Sequence, residues 1–168
     1  VSDKAIILKH TIFEPYQLAS LFSKNKTKKI SSGIIPNQKK QSFLDKTFLW
    51  IRGNLFIPDA RVFWVKPSVA FLEKYIVENT IDTIVTSGPP HSLHLIGLEL
   101  KQKLNLKWFA DFRDPWTTIG YHKSLRLSRF AAKKHKALER QVLNTADTII
   151  VTSKTTKTEF EAITSKPI

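Results

Sequence analysis

An α/β fold built on a parallel sheet is predicted by three features of this 168-residue chain. Short β-branched or apolar runs at 83–87, 106–112 and 148–152 are each closed by turn-forming or polar residues. Between them, apolar residues recur at steps of three and four, the period of a helix with one buried face. Strand and helix signals alternate, and parallel strands need such crossovers. Because the crossover is right-handed, the strands at 83–87 and 106–112 end on one edge of the sheet, where open α/β sheets bind ligands.

Residues 4–8, Lys-Ala-Ile-Ile-Leu, read as a buried strand, and Glu14-Pro15-Tyr16 turns the chain. A short helix over 16–22 turns Leu18, Leu21 and Phe22 inward. Residues 24–41 hold Lys24, Lys26, Lys28, Lys29, Lys39 and Lys40 around Gly33 and Pro36 and read as a basic mobile loop. Ser42, with Asp45 three residues on, opens a helix bearing Leu44, Phe48, Ile51 and Leu55, which Pro58 ends. Phe43, Trp50, Phe56, Phe63 and Trp64 alternate with Lys46, Arg52, Arg61 and Lys66. That mixture suits either a core helix with aromatic neighbours or a helix in a membrane interface.

Pro67-Ser68 opens the next helix, with Val69, Leu72, Tyr75 and Ile76 inward and Asn79 as its stop. After the strand at 83–87, residues 91–104 place Leu93, Ile96, Gly97, Leu100 and Leu104 on one helical face, with Glu99, Lys101 and Gln102 mostly away from it. A long basic helix over 125–143 turns Leu127, Ala131, Leu138 and Val142 inward and Lys133, Lys134, Lys136 and Arg140 outward. Asn144-Thr145-Ala146-Asp147 breaks it before the strand at 148–152. Ser153 caps a last helix to about residue 163, and Pro167 marks a stop.

A hydrophobic content of 42% and an aromatic content of 11% suffice for one core, so residues 1–168 read as a single domain. The chain has no Cys, which excludes disulfides and thiolate metal sites, and no apolar run long enough to span a bilayer, so it reads as soluble and intracellular. A first residue Val1 and the lack of any Met suggest a piece of a longer protein. Lys and Arg number 27 against 14 Asp and Glu, giving +13 and a pI near 10.0. Such a field attracts nucleic acid, anionic headgroups or phosphorylated ligands, or simply keeps a domain soluble.

The loops that end the first two strands carry the chemistry. Gly88-Pro89-Pro90 is no phosphate cradle, because prolines offer no N–H groups. Pro90 suits a first helical turn, which would leave the N–H groups of residues 91–93 pointing over the sheet edge toward anions or hydroxyls. His91, at the positive end of that helix, is either a cap or a neutral hydrogen-bonding group of a site. In Asp111-Phe112-Arg113-Asp114-Pro115-Trp116, alternation puts Asp111 and Arg113 on one face and Asp114 on the other. An Asp–Arg pair there either shapes the loop or serves a site. Five scattered His without a ligand-spaced pair argue against zinc. A Ser–His–Asp triad from Ser87 or Ser92 has no Gly-x-Ser-x-Gly elbow behind it.

Ser87-Gly88-Pro89-Pro90-His91-Ser92, a helix, and then Ala110-Asp111-Phe112-Arg113-Asp114-Pro115-Trp116 closely resemble the amino-terminal half of family 4 glycosyltransferases, especially those that assemble bacterial surface polysaccharides. The stretch from Leu138-Glu139-Arg140 through Ala146-Asp147-Thr148-Ile149-Ile150-Val151-Thr152-Ser153 is similar to that family's helix, Ala-Asp turn, strand and Ser. The likeness covers roughly residues 59–160 and is specific as a combination. It implies a GT-B enzyme with two Rossmann-like domains and the active site in the cleft between them, of which this chain is part of the amino-terminal, acceptor-side domain. A first strand would precede Val1, and the donor-binding half with its Glu-x7-Glu segment would follow Ile168. Transfer would retain anomeric configuration without a metal or other cofactor, the nucleotide-sugar being a substrate. Many relatives carry, at the position of Arg113, a His that contacts the donor sugar, and Arg113 departs from that pattern.

On this resemblance Asp114 and His91 are expected to be catalytic, and Gly88, Pro89, Ser92, Asp111, Arg113 and Trp116 to bind substrate. His91, Arg113 and Asp114 should converge on one cleft. The acceptor would be a glycan or a lipid-linked glycan, and the location cytoplasmic, peripheral to an inner membrane whose anionic surface the lysines of 24–41 and the helix from Ser42 would meet. No nucleic-acid partner is expected, though a non-catalytic basic module for nucleic acid or anionic phospholipid is the competing reading. Loss of a central first strand would leave sheet edges unpaired and favour self-association.

Overall fold

The computed structural model describes residues 5–11 and 43–168. From residue 43 the order is α1 (Phe43–Leu55), a 3-10 turn at Val62–Trp64, α2 (Val65–Glu78), β1 (Thr83–Gly88), α3 (Ser92–Lys103) and β2 (Lys107–Phe112). A second 3-10 turn at Gly120–Leu125 leads to α4 (Arg129–Thr145), β3 (Thr148–Val151) and α5 (Lys154–Glu161). The strands form a parallel sheet in the order β1-β2-β3. The α/β class and the parallel sheet flanked by helices are as the sequence predicts, and the arrangement is Rossmann-like.

Register explains why the two loops meet. Gly88 lies opposite Phe112, and Phe112 opposite Val151. All three strands therefore end in one row, and the segments that begin at Pro89, Arg113 and Thr152 leave from the same edge. One face of the sheet, Ile84, Trp108, Ala110, Phe112 and Ile149, joins the core with Leu95 and Ile96 of α3 and Val142 and Leu143 of α4. The other face is uneven. Val85 is 64% and Ile150 44% exposed, although parallel strands are ordinarily covered on both sides.

Two local devices set the packing. A Cβ on Gly97 would stand 2.6 Å from the Trp108 ring, so only glycine lets α3 lie this close to β2. At the end of α4, Asp147 Oδ2 accepts from Trp108 N at 2.7 Å and from Lys101 Nζ at 2.8 Å. The lysine hydrogen bond holds that carboxyl below its ordinary range. The Ala-Asp turn thus places a buried methyl, Ala146, and a carboxylate that completes the pairing at the start of β2.

Several boundaries differ from the sequence reading. Residues 5–8 form no strand, and Ile6 and Ile7 are 78% and 66% exposed. An apolar β-branched run specifies a strand only when an edge is there to receive it. Helix α2 begins two residues before Pro67, continuing the 3-10 turn that precedes it. Helix α4 begins at Arg129 rather than Leu125, because Arg126 is left-handed (φ 50°) and Ser128 caps the helix by accepting from Ala131 N. The expected helix at 16–22, the basic loop at 24–41 and the Ser42 cap lie outside the described residues.

Candidate functional site at the carboxyl edge of the sheet

The start of α3 is closed by a residue from a distant turn. Asp59 Oδ2 accepts from Ser92 N at 2.9 Å, and its Oδ1 accepts from Ser92 Oγ at 2.8 Å and from Arg61 N at 2.9 Å. Leu93 N and His94 N donate to Pro90 O and His91 O. The expected row of free N–H groups facing a ligand is therefore corrected: Asp59 supplies the negative charge that this helix end favours. Ser92, fully buried, faces a carboxylate, and Ser87 Oγ donates to Asp111 Oδ2 at 2.6 Å. Neither serine is hydrogen-bonded to an imidazole.

His91 turns inward. It is 3% exposed and lies flat on Trp116, with ring centroids 5.0 Å apart and planes within 1°. Its two ring nitrogens are buried without hydrogen bonds. His94, also buried, stacks on Phe112 at 4.1 Å. Thr86 Oγ1 accepts from Trp108 Nε1 at 2.9 Å and is hydrogen-bonded to His94 Nδ1 at 2.9 Å, while His94 Nε2 is buried without a hydrogen bond. Trp116 Nε1 donates to His135 Nδ1 at 3.2 Å, so His135 Nε2 carries the proton and donates to Gly53 O.

These histidines are held neutral. Burial, with the neighbouring His122 and His135, takes His91 down to about 3, and burial with His91 takes His94 to about 3. Burial first, then His135 and Lys136, lower His122 to about 4, and burial also lowers His135. The neutral His91 expected from the helix dipole is thus neutral chiefly through loss of solvent.

The second loop is fastened at both ends. Arg113 N donates to Gly88 O at 3.1 Å and Arg113 Nη2 to Pro89 O at 3.1 Å, while Thr152 Oγ1 donates to Arg113 O at 2.8 Å. Further along, Thr117 N and Oγ1 donate to the two carboxylate oxygens of Glu139 at 2.9 and 2.5 Å. Glu139 is 2% exposed, and burial raises its pKa against the opposing pull of the Thr117 hydrogen bonds. Between these ties Arg113 and Asp114 are exposed. Asp114 has no hydrogen bond or ion pair among the described residues, and none joins Asp111 to Arg113.

The site therefore has a rim and a floor. Gly88, Pro89, Arg113 and Asp114 make the rim, while Ser92, His91 and Trp116 lie beneath it. The expected convergence of His91, Arg113 and Asp114 is corrected in one respect: all three stand at the same edge, but His91 faces the core and Asp114 faces water. Beside the rim, along β3, where Ile149 N donates to Pro167 O at 2.9 Å, a shallow cleft of about 520 Å³ is lined by Thr152, Ser153, Lys154, Lys157 and Ile168, among others. Among the described residues no group of three or more His, Asp or Glu could hold a metal ion.

Asp59, His94, His135 and Glu139 complete the site; only Glu139 falls in a stretch that carries the resemblance, and none of the four is expected there as a site residue. For Glu139 and His135 a signal exists: they fall in helical phase with Ala131 and Val142, on the buried stripe. For Asp59, bonded to Ser92 across 33 residues, no local signal exists. Comparison with protein families, with curated proteins and with solved structures gave no match.

Proposed function

We propose that this chain is the acceptor-side half of a retaining, two-domain GT-B glycosyltransferase that moves a sugar from a nucleotide-sugar to a glycan or lipid-linked acceptor. The observation that carries the reading is the fastening of the Arg113 loop onto the Gly88-Pro89 loop, with the Arg113 guanidinium itself bonded to Pro89 O, which leaves Asp114 exposed and without a hydrogen bond or ion pair among the described residues at the carboxyl edge of a parallel sheet. Asp114 is the group available to accept a proton from, or hydrogen-bond, an acceptor hydroxyl. Arg113 offers charge to a phosphate or a developing anion. His91 acts from beneath, as the surface on which Trp116 rests. No cofactor is needed in this reading, and the enzyme works in the cytoplasm, peripherally at the inner membrane.

The test is a panel of nucleotide-sugars offered to the complete polypeptide that contains this chain, with and without Asp114→Asn. Consumption of one donor, lost in the variant at unchanged thermal midpoint, is expected. No consumption of any donor, or undiminished turnover in Asp114→Asn, overturns the reading. The exposed cations of α4 favour a second reading, a non-catalytic basic module for nucleic acid or anionic phospholipid, which would bind without turnover.

A further inference from the structure

We infer that the outer face of α4, together with the adjoining end of α1, is a docking surface for an anionic lipid bilayer. Exposed Arg129, Lys133, Lys136 and Arg140 follow one another at steps of four, three and four, which aligns them in a single stripe along the helix. Lys134 is exposed beside them, and the only carboxylate of α4, Glu139, is buried and bonded to Thr117. No acid of the helix therefore offsets the stripe. Next to it Phe130 is 75% exposed.

The turn before α4 brings further apolar surface to the same place. Ser128 N donates to Asn54 Oδ1 at 2.7 Å, and Asn54 Nδ2 donates to Arg126 O at 3.3 Å, fixing the end of α1 against the start of α4. Left-handed Arg126 then borders a shallow cleft of about 450 Å³ with Lys46, Thr47 and Trp50. Trp50 is 45% and Leu55 65% exposed.

Cations flanking exposed Phe, Trp and Leu are the composition of a surface that rests in a headgroup layer, with charge drawn to anionic lipid and apolar tips entering the acyl boundary. A single-stranded nucleic acid would favour aromatic rings lining a groove as stacking platforms. Here Phe130 stands on the outer face of a helix, and Leu55 has no π-face to offer. The opposite face of α4 carries His135 and Glu139, which hold Trp116 and Thr117. One helix would thus tie the rim of the site to the bilayer in which a lipid-linked acceptor resides.

That purpose rests on the proposed function, whereas docking itself is measured without donor or turnover, so either can fail alone. The experiment is sedimentation with phosphatidylcholine vesicles, with and without phosphatidylglycerol, at low and high salt. Binding only to the anionic vesicles, weakened by salt, is expected. Lys133→Glu with Lys136→Glu should weaken it at least about tenfold, Phe130→Ser should remove the salt-resistant part, and Lys74→Glu on α2 should change nothing. Circular dichroism of each variant checks the fold, and quenching of wild-type emission by brominated lipid, lost in Trp50→Phe, reports contact independently of the charge variants. Equal binding to neutral vesicles, equal loss in Lys74→Glu, or tighter binding to a single-stranded oligonucleotide than to anionic vesicles overturns the inference.

Discussion

Asp59 and Ser92 are joined twice, carboxylate to backbone amide and carboxylate to hydroxyl, across 33 residues of chain. The pair caps α3 and fixes where the Gly88-Pro89-Pro90 loop must end. Asp59→Ala removes the cap and leaves a buried hydroxyl without its partner. A loss of about 1–2 kcal/mol is expected from the cap alone, seen as a fall of roughly 2–8 °C in thermal midpoint for a chain of this size. An unchanged midpoint would show that the bond carries no stability.

Stability should fall with acidification well above the carboxylate range. His91 and His94 titrate near 3 in the folded protein against an ordinary 6.5, so between those values the unfolded chain binds protons that the folded chain refuses. Each such histidine contributes stability that is complete above pH 6.5 and declines by about 1.4 kcal/mol per pH unit as pH falls toward 3. His122 and His135 act in the same direction, and Glu139, with its raised pKa, acts in the opposite one. Denaturant midpoints measured across this range should give a slope reduced by about one proton in His91→Phe, a change that breaks no hydrogen bond.

Gly97→Ala tests the close approach of α3 to β2. Its methyl would meet Trp108 ring atoms at 2.6 Å and the Thr86 methyl at 2.8 Å. Overpacking of this kind costs about 1–3 kcal/mol. Urea denaturation would register it, and the indole bond from Trp108 to Thr86 would be strained along with the helix.

The open sheet face should make the isolated chain self-associate. Val85 and Ile150 are exposed on it, and among the described residues β1 pairs on one side only. Light scattering across a concentration series should show growth above monomer mass, suppressed by Val85→Lys. A monomer at every concentration would mean that other residues of the chain cover that face.

Much of this arrangement was legible in the sequence. Strands and crossover helix were readable because residues 83–112 switch period cleanly and stop at Gly, Pro and charged residues, so the two loops could be placed at one edge. What failed needed a distant partner or a helical phase. Free N–H groups at α3 were expected because Asp59 lies far away in sequence. His91 precedes the first helical residue, where periodicity does not say which way a side chain turns. At residues 5–8 composition suggested a strand but could not supply its neighbour.

The ties at the rim have an evolutionary consequence. Thr117 with Glu139, and Asp59 with Ser92, are each a donor matched to a buried or half-buried acceptor. Changing one member alone strands the other without water or partner, at a cost of about 1–3 kcal/mol. Substitutions at 59 and 92, and at 117 and 139, should therefore travel in pairs through any lineage that keeps this fold. Asp114, exposed and without a hydrogen bond or ion pair among the described residues, carries no such constraint and can follow whatever the site is asked to recognise.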